Sequence, residues 1–167
     1  MSEEMDLGVL SKGDGYIEAK LTRLIDHPPA MVWAALIDPE RTVEWLAPGV
    51  IEAKAGGRAR LDFVDSGIVI DSTVSAYEPL RLLQYSWSGP GEPDRPVRWE
   101  VMPEGESTRL TLTLRTPEGE DAGRSAAGWE AHLEMLAAAL EGVPIKFPFE
   151  RFKTTREAYR ARVAALA

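Results

Sequence analysis

Histidine is the side chain most readily recruited for proton transfer near neutral pH, and this chain of 167 residues has two. His27 stands before Pro28-Pro29 at a strand-to-helix turn, where a surface or capping role is expected. His132 lies three residues after Trp129 and four before Leu136, a spacing that sets all three on one flank of a helix. There it would be placed to act as acid or base, or to hold the polar end of a ligand. The competing reading is an ordinary helix histidine satisfied by its neighbours. Neither histidine has metal-site spacing. Glu130 and Glu134 flank His132 but point to different faces, so no metal and no cofactor is expected. The chain has no cysteine, which removes disulfides, thiolate nucleophiles and thiolate metal sites. It carries no Gly-x-Ser-x-Gly elbow and no phosphate-binding loop, and Gly56-Gly57 reads as a hairpin turn.

The aromatic residues are the more suggestive set. Tyr85, Trp87 and Trp99 occupy inward-facing positions of alternating strands, Phe63 is a neighbour, and Trp129 faces them from a helix. With Leu112, Leu133, Leu136 and His132 they form a candidate ligand-binding wall, apolar with one polar group. The same rings would serve equally as filling for a core. Arg23 is the better candidate for an inward cation, because alternation turns Arg98 outward. Trp33 and Trp45 read as packing residues of two short helices.

These side chains need elements to hold them, and the period of the apolar residues supplies the elements. A strand is expected at 16–25, where Ile17, Ala19 and Leu21 alternate with Glu18, Lys20 and Thr22. Two short helices follow, 30–37 and 38–45, each opened by proline. Strands are expected at 50–53, 58–63, 68–77, 81–87, 97–101 and 108–115, and the Pro- and Gly-rich stretch 88–96 is a loop. The period then lengthens: Trp129, Leu133, Leu136 and Leu140 mark a helix over 123–141, stopped by Gly142-Val143-Pro144. A last helix at 150–166 would set Phe149, Phe152, Tyr159, Val163 and Leu166 on one seam. Residues 1–14 read as a mobile lead-in, 15–142 as the domain, and 143–167 as a helical extension. About seven antiparallel strands with one apolar face require a cover, and 123–141 is the helix long enough to provide it. The expected fold is therefore α+β, a curved sheet gripping one long helix around a cavity.

Charge and composition narrow the partners. The net charge of −8 and pI of about 4.9 disfavour nucleic acid. The final segment carries five bases (Arg151, Lys153, Arg156, Arg160, Arg162) against two acids (Glu150, Glu157), +3, which leaves −11 for the rest. That segment is expected to dock on its own domain or to join two copies as a homodimer, since Phe149, Phe152 and Tyr159 would otherwise stand exposed. No apolar run is long enough to span a membrane. The opening residues lack the basic start and apolar centre of a secretory signal, so a cytoplasmic location is expected.

The stretch 25–36, with His27-Pro28-Pro29 and Trp33, followed by Asp38-Pro39-Glu40 and Trp45, resembles the opening of the heat shock protein 90 ATPase activator homologue family, within the START-like (SRPBCC, helix-grip) superfamily. The likeness continues in Gly56-Gly57 before Phe63, in 78–82 before Tyr85-Ser86-Trp87, in 107–112, and in Gly128-Trp129 with 133–136. The resemblance covers about residues 16–141 and implies the fold directly. For function it implies three readings: a small hydrophobic or aromatic ligand held between sheet and helix; a stress-related, chaperone-associated protein acting through its outer surface; or a cyclase or dehydratase with His132 as acid or base. Ligand binding without catalysis is the leading expectation.

Overall fold

The computed structural model describes residues 7–63 and 66–166. Strict alternation produces β2 (Tyr16–Ile25), where Ala19, Leu21, Arg23 and Ile25 share the inner face. Pro29 and Pro39 open α1 (Pro29–Ile37) and α2 (Pro39–Trp45) at their first turns, and the Asp38 carboxylate accepts the Glu40 N–H at 3.2 Å. β3 (Gly49–Ile51), β4 (Arg58–Phe63) and β5 (Ile68–Thr73) form a three-stranded sheet in that order. A six-stranded antiparallel sheet completes the β-structure. It contains β1 (Val9–Lys12), β2, β6 (Ala76–Glu78), β7 (Leu82–Ser86), β8 (Pro96–Glu104) and β9 (Ser107–Pro117), in the order β1-β2-β9-β8-β7-β6. The two sheets meet where the Asp71 N–H donates to the Ser88 carbonyl at 2.9 Å and Ser72 Oγ to the Ser86 carbonyl at 2.7 Å.

The core sits on the concave side. Leu21, Leu112, Trp99 and Leu83 stand opposite one another across β2, β9, β8 and β7, and all four are buried. The long helix α3 (Ala122–Leu140) covers this row with Ala126, Trp129, Leu133 and Leu136. Burying each large side chain stabilises the fold by about 1.5–3 kcal/mol. Asp121 caps α3 through the Arg124 N–H at 3.0 Å. Gly142, at φ +80, closes it: the Gly142 N–H donates to the Ala139 carbonyl and that of Val143 to Ala138, both at 3.0 Å.

Four expectations are corrected. Among the described residues the strands number nine in two sheets rather than about seven in one. The stretch read as a lead-in supplies β1, an edge strand paired with β2, while residues 1–6 lie outside the described residues. β1 is hard to read because its residues Val-Leu-Ser-Lys are mostly exposed and do not alternate. The strand expected over 68–77 breaks between β5 and β6, where the Val74 N–H turns away to the Gly57 carbonyl at 2.7 Å. Phe149 opens the last helix, α4 (Phe149–Ala164), with its side chain 65% exposed rather than on the buried seam.

α4 lies along α3 of the same chain. Gly123 permits the close approach: a Cβ there would stand 2.8 Å from Arg160 Cγ and 3.0 Å from its backbone nitrogen. Arg160 also reaches Asp121 at 2.6 Å.

Candidate functional site: an aromatic seam around His132

The strands place the expected rings together. Trp99 on β8 meets Trp129 on α3 edge to face, with centroids 5.7 Å apart, and Trp45 meets Trp99 at 5.8 Å. Trp129 continues to Trp87, just beyond β7, at 4.7 Å; Trp87 continues to Phe63 at 5.6 Å and to Tyr85 at 6.5 Å. Such tilted and edge-on contacts suit the ring quadrupoles. Trp99 and Tyr85 are each 1% exposed, whereas Trp87 and Phe63 are only partly buried, so the run of rings begins in the core and ends at the surface. Burial pushes the Tyr85 hydroxyl well above its usual value, which keeps it neutral.

His132 stands at the outer end of this run. Its ring contacts Trp129 at 5.7 Å, Phe63 at 6.2 Å and Phe147 at 5.6 Å. Its Nδ1 lies 3.0 Å from the carbonyl of Trp45, the last residue of α2. A carbonyl can only accept, so Nδ1 carries the proton and satisfies one of the free carbonyls at that helix end. Burial lowers the His132 pKa, partly offset by this bond. The imidazole is therefore neutral at pH 7, with its lone pair on Nε2. Among the described residues Nε2 has no hydrogen-bond partner.

Leu112 lies beside Trp99 on the adjacent strand, and Leu136 is fully buried on α3. Leu133, also buried, borders a different space, a surface cleft of about 360 Å³ that it shares with Arg23, His27, Glu130, Glu141 and Arg151. A second cleft, of about 310 Å³, lies between the short helices and the end of α3 near Met31 and Leu140. The first is lined by none of these rings, and the second meets them through Trp45. His27 bonds the exposed Glu141 rather than any ring of the seam.

A buried polar cluster escaped the sequence reading. Glu130 is 1% exposed and accepts hydrogen bonds from Arg23 and from the Tyr159 hydroxyl. The same hydroxyl accepts the Gly8 N–H at 2.6 Å. Arg23 does point inward, as the alternation requires, but its charge is matched by Glu130. One signal for Glu130 was available: a cation on the concave face calls for an anion on the helix that covers it. Glu130 is thus turned away from His132, and the two form no acid–base dyad.

Comparison with known proteins agrees with this architecture. CalU16 from Micromonospora echinospora is 25% identical over 92% of this chain and 95% of that one, with a TM-score of 0.78. The solution structure of BPP1335 from Bordetella parapertussis is 28% identical, covers 97% of this chain and 95% of that one, and has a TM-score of 0.70. DynU16, from the dynemicin biosynthetic locus, is 31% identical over 79% of this chain and 49% of that one, with a TM-score of 0.69. No curated protein sequence matches. The family model described as activator of Hsp90 ATPase homolog 1-like protein matches residues 26–141, most of the domain, and the chain belongs to that family.

Proposed function

We propose that the protein binds a small hydrophobic or aromatic molecule at the seam where Phe63 and Trp129 flank His132 and Trp87 packs against both rings. One observation carries this reading. The ring cluster does not close on itself inside the core but runs out to partly exposed rings beside a neutral polar group, His132. Rings left partly exposed at a surface are available for stacking, and an acceptor among them orients what stacks. The kinship with a protein from a biosynthetic locus supports a small-molecule role. Binding is favoured over catalysis because Glu130 is committed to Arg23 and Tyr159, which leaves His132 without a carboxylate partner among the described residues.

The test is a native mass spectrum of protein purified gently from cells, followed by titration of the isotope-labelled protein with naphthalene-sized aromatics. An adduct lost on denaturation, or shifts of the Trp87 and Trp129 indole resonances, is the expected result. A bare mass together with unmoved indole resonances would overturn the proposal.

A further inference from the structure

The seam is closed by the chain itself. Between α3 and α4 runs a connector, 141–148, in which Val143 is 64% exposed and Ile145 40%. Among the described residues the N–H groups of Ile145, Lys146 and Phe147 make no backbone hydrogen bond. The connector's inward group is the Phe147 ring, which is only partly buried. It sits 5.6 Å from His132 and 5.5 Å from Phe152 on α4. Phe147 thus covers the imidazole with an aromatic ring that no backbone ladder fixes in place.

His132 supplies the chemical selectivity. Its Nδ1–H is held by the Trp45 carbonyl at 3.0 Å, so the other ring nitrogen, Nε2, is an acceptor and not a donor. Phenylalanine offers that acceptor nothing. A ring bearing a hydroxyl would make the same stacking contacts and add a hydrogen bond.

We propose that the seam takes an aromatic molecule carrying a hydroxyl or similar hydrogen-bond donor, with the donor on His132 Nε2 and the ring in the place held by the Phe147 side chain. This rests on the binding reading above and deepens it. It assigns the ligand a donor at one end of an apolar body. It also makes the connector a strap that must lift for the ligand to enter.

The experiment compares two probes of nearly equal shape, 2-naphthol and 2-methylnaphthalene, by titration of the isotope-labelled full chain. Wild type should bind 2-naphthol roughly threefold to tenfold more tightly, which is what one net hydrogen bond supplies. His132→Asn keeps an amide donor for the Trp45 carbonyl, but its shorter side chain leaves no acceptor at the position of Nε2. In that variant the preference should vanish or reverse while the methyl probe still binds. In wild type the His132 Nε2 resonance should move with 2-naphthol and not with 2-methylnaphthalene. Phe147→Ala should tighten both probes by removing the competing ring, and Phe147→Leu should do so less. Equal binding of the two probes to wild type overturns the donor assignment and leaves aromatic binding standing. Weaker binding of both probes to Phe147→Ala makes Phe147 a wall and overturns the strap. Failure of both probes to bind wild type and both Phe147 variants sinks the binding reading itself.

Discussion

Replacing Tyr159 by phenylalanine removes a single oxygen from a fully buried side chain, yet that oxygen joins three parts of the chain. It donates to the Glu130 carboxylate on α3 and accepts the Gly8 N–H at 2.6 Å, just before β1. Burial pushes the phenol above its usual pKa, so the group remains a donor throughout the neutral range. A hydrogen bond to a charged acceptor contributes about 1.5–3 kcal/mol, and the orphaned amide adds about 1 kcal/mol. The expected loss is therefore about 2–4 kcal/mol. For a chain of this size each kcal/mol lowers the melting midpoint by about 2–4 °C, so a drop of about 8 °C is expected by calorimetry. Glu130→Gln keeps the shape but removes the charge that Arg23 faces, and it should be destabilising in its own right. Because both changes strike one network, the double variant should be more stable than the sum of the two losses implies, by at least about 1 kcal/mol. A midpoint within 1 °C of wild type for Tyr159→Phe, or strict additivity of the pair, would show that α4 is not held to α3 in this way.

Two further tests address other parts of the molecule. In the folded protein the His132 pKa is lowered, chiefly by burial, so the unfolded chain takes up a proton first as pH falls. Stability should therefore decline from about pH 6.5 down to the lowered folded value and level off below it. His132→Asn should flatten that segment of the curve measured by urea denaturation, and parallel curves for variant and wild type would refute the assignment. The two helical glycines of α3 should respond oppositely to alanine. Gly128→Ala meets nothing within 4 Å and should gain up to about 1 kcal/mol from helix propensity. Gly123→Ala would press on the Arg160 backbone and should be destabilising despite the same propensity gain. Equal shifts in melting midpoint would contradict the close packing of α4.

The elements that obey a simple period were legible. β2 and β4 coincide with the alternation of their residues, and α3 lies within a residue of the span set by Trp129, Leu133, Leu136 and Leu140. What could not be read depends on partners distant in sequence. β1 exists because β2 offers an edge, not because Val9–Lys12 shows a pattern. The break before β6 follows from a bond between Val74 and Gly57. In the candidate site, alternation correctly turned Tyr85 and Trp99 inward. It could not tell that Trp87 and Phe63 would reach the surface, nor that Phe147, in a stretch with no periodicity, would come to rest on His132. Glu130 read as one more helix carboxylate, because Arg23 lies 107 positions away and Tyr159 lies 29 away.

The hydrogen bond from Gly8 to Tyr159 spans 151 positions, so it forms only when nearly the whole chain is already in place. The entropy of closing so long a loop grows only logarithmically, which makes the bond late rather than weak. Its amide proton is therefore a clock. In a folding or exchange experiment the Gly8 proton becomes protected only once the two extremities of the described chain have found each other. Its loss in an otherwise protected protein would report α4 lifting from α3 while the sheet stays intact.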